Sequence, residues 1–187
     1  MIKKSELKLV KHDSPFLKTP PSPFDFKGDL DASLFANILL DKMRDYGGVG
    51  LSANQVGVNV SVFAMGINEV GLVVFNPKII GMSKEEVSID EGCLSFPGVY
   101  VKVKRPANIE VEYQDVSGEI VRKTFTGLSA RIFLHEYDHM QGITMKDRVS
   151  KLKWDLAFNR MIKRTKRIIR KGVQTQLMNI QKQMETS

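Results

Sequence analysis

Cysteine, histidine and tryptophan are scarce in this chain. Its 187 residues include one cysteine, three histidines and one tryptophan. A single cysteine excludes an internal disulfide, so the fold must rest on an apolar core and suits a reducing compartment. No apolar run is long enough to cross a membrane. The opening Met1-Ile2-Lys3-Lys4-Ser5-Glu6-Leu7 lacks the apolar stretch of a signal peptide and the arginine-rich character of a transit peptide. These absences point to a cytoplasmic protein with no membrane partner. There is no internal repeat and no clear linker. Proline is sparse too, and Pro15, Pro20, Pro21 and Pro23 gather in one stretch that reads as an extended loop. What remains is ordinary: the hydrophobic fraction is 42%, and the length suits one domain with a sizeable core.

Charge is unevenly spread. The chain carries a net +7, but residues 151–187 hold ten Lys/Arg against Asp155 and Glu185, a net of +8, which leaves 1–150 at −1. Basicity therefore belongs to the tail. The chain divides into a 1–150 portion that carries the chemistry below and a basic helix and tail at 151–187, either part of the same domain or an extension of it.

A helix is predicted after the proline-rich loop. Asp29 or Asp31 can cap it, Leu34, Phe35, Ile38, Leu39 and Met43 recur at helical spacing, and Gly47-Gly48 end it. Strand-like runs follow at 58–65, 72–75, 100–103, 109–113 and 120–125, with Ser117-Gly118 turning between the last two. A second helix is predicted over about 126–141, stopped by Gly142. Ser150 can cap a third along 151–171, where Trp154, Phe158, Met161, Thr165 and Ile168 form a stripe. This order implies an α+β fold, mostly antiparallel strands around a central helix, with a basic helix at the C-terminus.

Two of the three histidines lie in His135-Glu136-Tyr137-Asp138-His139, the pattern HExxH. Four residues on a helix are slightly more than one turn, so both imidazoles project from one face and can hold one metal ion with Glu136 beside it. The preceding run, 128–134, is largely apolar, so the pair extends a buried helix, where a His-Glu-His cluster without a partner is costly. Glu136 is placed to act as the general base on a water. A catalytic site of this kind needs a third protein ligand and keeps one position for water. His12 reads as a surface residue in a polar segment. Asp147 is a possible carboxylate ligand. Cys93 is the most suggestive, in the irregular stretch Asp90-Glu91-Gly92-Cys93-Leu94-Ser95. A thiolate and two imidazoles suit zinc, ferrous iron, cobalt or nickel.

Three segments together resemble the signature motifs of the peptide deformylases: Gly48-Val49-Gly50-Leu51-Ser52-Ala53-Asn54-Gln55, Glu91-Gly92-Cys93-Leu94-Ser95 and His135-Glu136-Tyr137-Asp138-His139, in that order. Ser52 stands where the family usually has alanine. The resemblance spans roughly residues 5–150 and implies much that spacing does not. It implies metal ligation by Cys93, His135 and His139, with ferrous iron as the physiological ion and zinc a less active substitute. Gln55 and the Leu94 backbone N–H become donors to the oxyanion formed in amide hydrolysis. The substrate becomes the N-formyl group of the initiating methionine, in a bacterial-type cytoplasm, that of a virus-infected host included. Gly48 and Gly50 allow close approach of a substrate strand. Val49, Leu128 and Ile132 are candidates for an apolar methionine slot, with Arg131 at its rim.

Other readings stay open at this point. A metallopeptidase would pair HExxH with a carboxylate ligand, and a purely structural metal site would lack an open position. The basic tail supports non-specific contact with a polyanion but no sequence-specific nucleic-acid module. On a deformylase, that tail is expected either to be a solvated helix or to contact the ribosome. Truncation after about residue 150 is expected to leave hydrolysis of short peptides nearly intact, provided the core still folds.

Overall fold

The computed structural model describes residues 4–67 and 70–185. Helix α1 (Ala32–Asp45) is capped by Asp31, whose side chain accepts from Leu34 N at 2.7 Å. It ends where Gly47 takes a left-handed φ of 66°. Its apolar face buries Phe35, Ile38, Leu39 and Met43.

The strands are β1 (Gly50–Ser52), β2 (Val62–Ile67), β3 (Val70–Met82), β4 (Glu86–Cys93), β5 (Phe96–Pro106), β6 (Asn108–Gln114) and β7 (Ile120–Thr126). Five form one sheet in the order β1-β2-β3-β6-β7, and β4 pairs with β5 in a second. Every pairing between named strands is antiparallel. Helix α2 (Gly127–Met140) follows β7, and helix α3 (Lys151–Glu185) ends the described chain. The α+β class with antiparallel strands is as expected.

Three apolar clusters hold the body together. α1 packs on β1, β2 and β3 through Phe35, Leu39, Leu51 and Phe75. α2 packs on the other side of the large sheet through Phe63, Ile109, Val111, Phe125 and Phe133. The third cluster joins β5 to the base of α3: Phe96, Val99, Val101 and Val103 meet Met145, Trp154 and Ala157. The Phe96 and Trp154 rings sit edge to face, 5.1 Å apart.

Three expectations change. β4 was not anticipated, because Glu86, Ser88, Asp90 and Gly92 are poor strand formers; the register with β5, from Glu86 opposite Pro106 onward, holds it. β3 is longer than the apolar run 72–75. It passes through Asn76-Pro77 by a bulge at which Asn76 has φ 47° and bonds to Phe24 and Gln114. Residues 58–61 precede β2 as an irregular stretch, with Val58 N bonded to Ala53 O and Val60 in an isolated bridge to Ser22.

The position 150 at which the basic helix was set off falls just before residues of the third cluster. Trp154 and Ala157 belong to the body's core, so a chain ending at 150 is expected to lose at least the roughly 3–5 kcal/mol that a buried Trp→Ala change costs. A chain ending at 162 keeps that cluster and should match the full chain. Urea unfolding of the two truncations measures the difference; equal midpoints would mean that Trp154 holds nothing in place.

Candidate active site

α2 sets His135, Glu136 and His139 on one face, with the two imidazole centroids 5.3 Å apart. Cys93 arrives from the end of β4, where the register shifts and Cys93 pairs with Phe96 across a tight reversal. That kink turns its thiol toward the helix. The ligand atoms of Cys93, His135 and His139 lie within 4.8 Å of one another. Cys93 Sγ is 3.5 Å from His139 Nε2, close to the ~3.6 Å edge of a tetrahedron with ordinary metal–sulfur and metal–nitrogen bonds. The residues therefore fit a divalent ion.

The orientation of His135 is set from behind. Its Nδ1 is 3.0 Å from Glu91 Oε2, which leaves Nε2 free to bind a metal. Burial disfavours charge on His135, but the neighbouring Cys93 and Glu91 raise its pKa well above the usual value. For His139, burial and the adjacent His135 lower it well below. A divalent ion would take up the facing nitrogens of both rings; the other nitrogen of His139, Nδ1, is buried without a hydrogen-bond partner. Burial pushes the Glu136 carboxyl up to about 7, against the pull of His135 and Arg105. Its Oε2 is buried without a hydrogen-bond partner.

Glu91 is the hub of a buried ionic network that the sequence pattern does not single out. Arg105 clasps it with Nε at 2.7 Å and Nη2 at 2.9 Å, and Arg131 Nη1 reaches it at 2.8 Å. Arg105 also bonds Asp138 at 2.7 Å and the Leu134 carbonyl at 3.1 Å, and Asp138 pairs with Arg148. Burial would raise the Glu91 pKa; the bonds from His135 and Arg105 overcome it and hold the carboxyl below the usual carboxylate range. Removing one member of such a network leaves the others buried and unpaired, at a cost of roughly 3–5 kcal/mol. One signal was available: Val99, Val101, Val103 and Arg105 share the inward face of β5, so Arg105 had to have a buried partner.

Arg131 corrects an expectation. It is only 5% exposed and donates to Glu91, to the Val103 carbonyl and to the Val87 carbonyl. It lines the cleft from within and braces β4 and β5, and it does not stand at a solvent rim. His12 is exposed, stacked on Phe96 at 5.7 Å. Asp147 accepts from Thr144 N and Oγ1 and takes no part in the metal cluster.

The segment 48–55 faces α2. Gln55 Oε1 accepts from Ser52 N at 2.9 Å and lies 3.0 Å from Ser52 Oγ. This fixes the amide plane, so Nε2 points to Ser95 Oγ at 3.0 Å and Cys93 Sγ at 3.4 Å. Asn54 ties the same turn to α2 through the His139 carbonyl at 2.7 Å. Gly50 lies against the Glu136 carboxylate, where any Cβ would collide with it, and a Cβ on Gly48 would meet Leu94. Contact therefore requires glycine at 50, and a side chain at 48 would displace the end of Leu94.

These pieces border a cleft of about 610 Å³. Its walls are two strand edges: among the described residues, β1 pairs only with β2, and β4 only with β5. Gly48, Val49, Gly50 and Gln55 line one side, Glu91, Cys93, Leu94 and Tyr100 the other, and Ile132, His135 and Glu136 the floor. Val49 and Leu128 stand at the mouth, 52% and 54% exposed, while Ile132 is buried. The structure thus brings Gln55, Cys93, Leu94, His135, Glu136, Gly48, Val49, Gly50, Leu128, Arg131 and Ile132 to one cleft; His139 lies behind it beside Cys93.

Comparison with known proteins follows the same residues. The family model for polypeptide deformylase matches residues 6–155. A chloroplastic peptide deformylase 1B of rice is 42% identical over 149 residues, 77% of this chain and 55% of that protein. The peptide deformylase of Treponema pallidum is 37% identical over 155 residues, 83% of this chain and 94% of its own. The chain thus spans little more than half the length of the plant relative. Among solved structures, the Thermotoga maritima peptide deformylase superposes with a TM-score of 0.73 at 35% identity, over 77% of this chain and 97% of that one. A Synechococcus elongatus deformylase in complex with actinonin gives 0.78 at 33% identity, over 86% and 88%.

Proposed function

The chain belongs to the polypeptide deformylase family, and from that premise we infer that it hydrolyses the N-formyl group of formyl-methionyl peptides and releases formate. The observation that carries this reading is the floor of the cleft. Cys93, His135 and His139 converge there, and Glu136 presents an unpartnered carboxylate oxygen beside them, between two free strand edges.

We take the ion to be ferrous iron, with zinc, nickel or cobalt able to substitute in the same donor set. When bound, it supplies Lewis acidity and makes hydroxide available near neutral pH. Glu136 takes a proton from the attacking water and returns it to the leaving amine. Gln55, held by Ser52, aims an N–H at the position of the developing oxyanion, and the Leu94 N–H is the second donor. The peptide lies as an added strand between β1 and β4. Its methionine side chain fills the apolar slot of Val49, Leu128 and Ile132. Arg131 acts from behind, by holding Glu91 and so His135.

The setting of that activity is a compartment where formyl-methionyl chains are made, a bacterial-type cytoplasm. Among the described residues no helix is long and apolar enough to cross a membrane. The carboxylate-ligand peptidase is disfavoured because Asp147 is engaged with Thr144, away from the cluster. Ribosome contact rests on the positive charge of α3 alone.

Selectivity tests the reading. Formyl-Met peptides should be cleaved faster than acetyl-Met peptides by at least the roughly 10–200-fold that one methyl group can command in a tight pocket. Methionine should also be preferred to aspartate at the first position, since an apolar slot cannot solvate a carboxylate. Similar kcat/KM values across these substrates would defeat the proposal.

A further inference from the structure

The half of α3 that leaves the body exposes a narrow aliphatic strip on an otherwise strongly basic helix. From Lys163 to Gln176 every residue is exposed. Ile168 is 59%, Ile169 60% and Val173 50% exposed. At about 100° per residue, Ile162, Ile169 and Val173 fall within an arc of roughly 40°; Lys166 and Arg170 flank one edge of that strip, while Arg164, Arg167 and Lys171 gather on the opposite side, with Ile168 nearer to them than to the strip. Thr165, Gly172 and Gln176 complete the apolar side without adding charge. Over 162–185 there are seven basic residues and one acidic, a net of +6. None of the basic residues from Lys163 to Lys171 makes an ion pair with the body among the described residues.

We propose that α3 beyond Met161 docks on an anionic lipid surface, lying in the headgroup plane with Ile162, Ile169 and Val173 inserted. A strongly basic face opposite aliphatic residues, with low overall hydrophobicity, is the make-up of helices that lie on a membrane and do not cross it. Three observations choose this occupant. An RNA would neutralise the basic side but leave the isoleucines in water. A second copy of the chain would bring one strongly positive helix against another. The apolar spacing also suits a plane: Val173 follows Ile162 by eleven residues, and in the sequence Ile180 follows Ile169 and Met184 follows Val173 by the same step. An eleven-residue repeat stays nearly aligned with a straight helix, whereas a left-handed coiled coil needs sevens.

The base of α3 fixes what such docking carries with it. Met161 packs over Gly98, and Pro97, Gly98 and Val99 line the cleft. The free part of the helix, about 36 Å long, would therefore hold the cleft beside the bilayer. The expectation of no membrane partner, drawn from the absence of a spanning run, speaks only of crossing.

Flotation of the full-length protein with vesicles of phosphatidylglycerol and phosphatidylcholine tests this, with pure phosphatidylcholine vesicles as the control. The protein should float with the anionic vesicles alone. The double variant Ile169→Ser/Val173→Ser should partition about ten-fold less. Each neutralisation at Lys163 or Arg167 to glutamine should cost about five-fold. Both sets should keep their far-UV helicity and peptide hydrolysis. Failure to float, or flotation of the serine variant like the parent, would overturn the proposal. Tight binding of single-stranded RNA by parent and serine variant alike, without flotation, would assign the helix to RNA instead.

Discussion

Replacing Cys93 with alanine is expected to strip the metal from the protein. The ion would lose one of three donors, and the two imidazoles alone cannot enclose it. Loss of a merely supporting partner lowers metal affinity by roughly 10–100-fold, so loss of the thiolate should exceed that. Elemental analysis after dialysis reads the result, and hydrolysis should fall with it. The fold should survive, because Cys93 lies at a strand end and only in part inside the third cluster. Full retention of metal would mean that a carboxylate completes the site and would favour the peptidase reading.

Glu136→Gln should behave in the opposite way: metal kept, turnover lost. The amide fills the same space against Gly50, so the helix face and the glycine contact stay intact. Without a carboxylate there is no group to accept the water proton, and kcat should fall by roughly 10²–10⁴. The loss should appear in kcat and kcat/KM together, since the interaction belongs to the transition state. Parent-like turnover would make Glu136 a packing residue. Loss of metal would make it a ligand.

How far the site could be read in the sequence depended on how local its parts are. His135, Glu136 and His139 lie within five residues, and helical spacing alone puts them on one face. Cys93 could be suspected, but its approach to them depends on the kink between β4 and β5, which no local pattern shows. Glu91, Arg105, Asp138 and Arg148 were missed because each is explained only by the others, across β4, β5 and α2. Arg131 was misplaced for the same reason. A charged residue in an apolar helix reads as a rim until its partner, here Glu91, is known. In the fold, amphipathic elements with clear ends, such as α1 between Asp31 and Gly47, were legible. β4 was not, because its strand character comes from pairing with β5 and not from its own residues. The continuation of β3 through Asn76-Pro77 was hidden by the dipeptide that ordinarily breaks a strand.

One product analysis tests the central claim most directly. Protein loaded anaerobically with ferrous iron is given formyl-Met-Ala-Ser, and the products are identified by mass spectrometry alongside a formate assay. The account predicts formate and Met-Ala-Ser in equal amounts, with no cleavage between residues. Formyl-Met with Ala-Ser, and no formate, would contradict it and make the enzyme a peptidase.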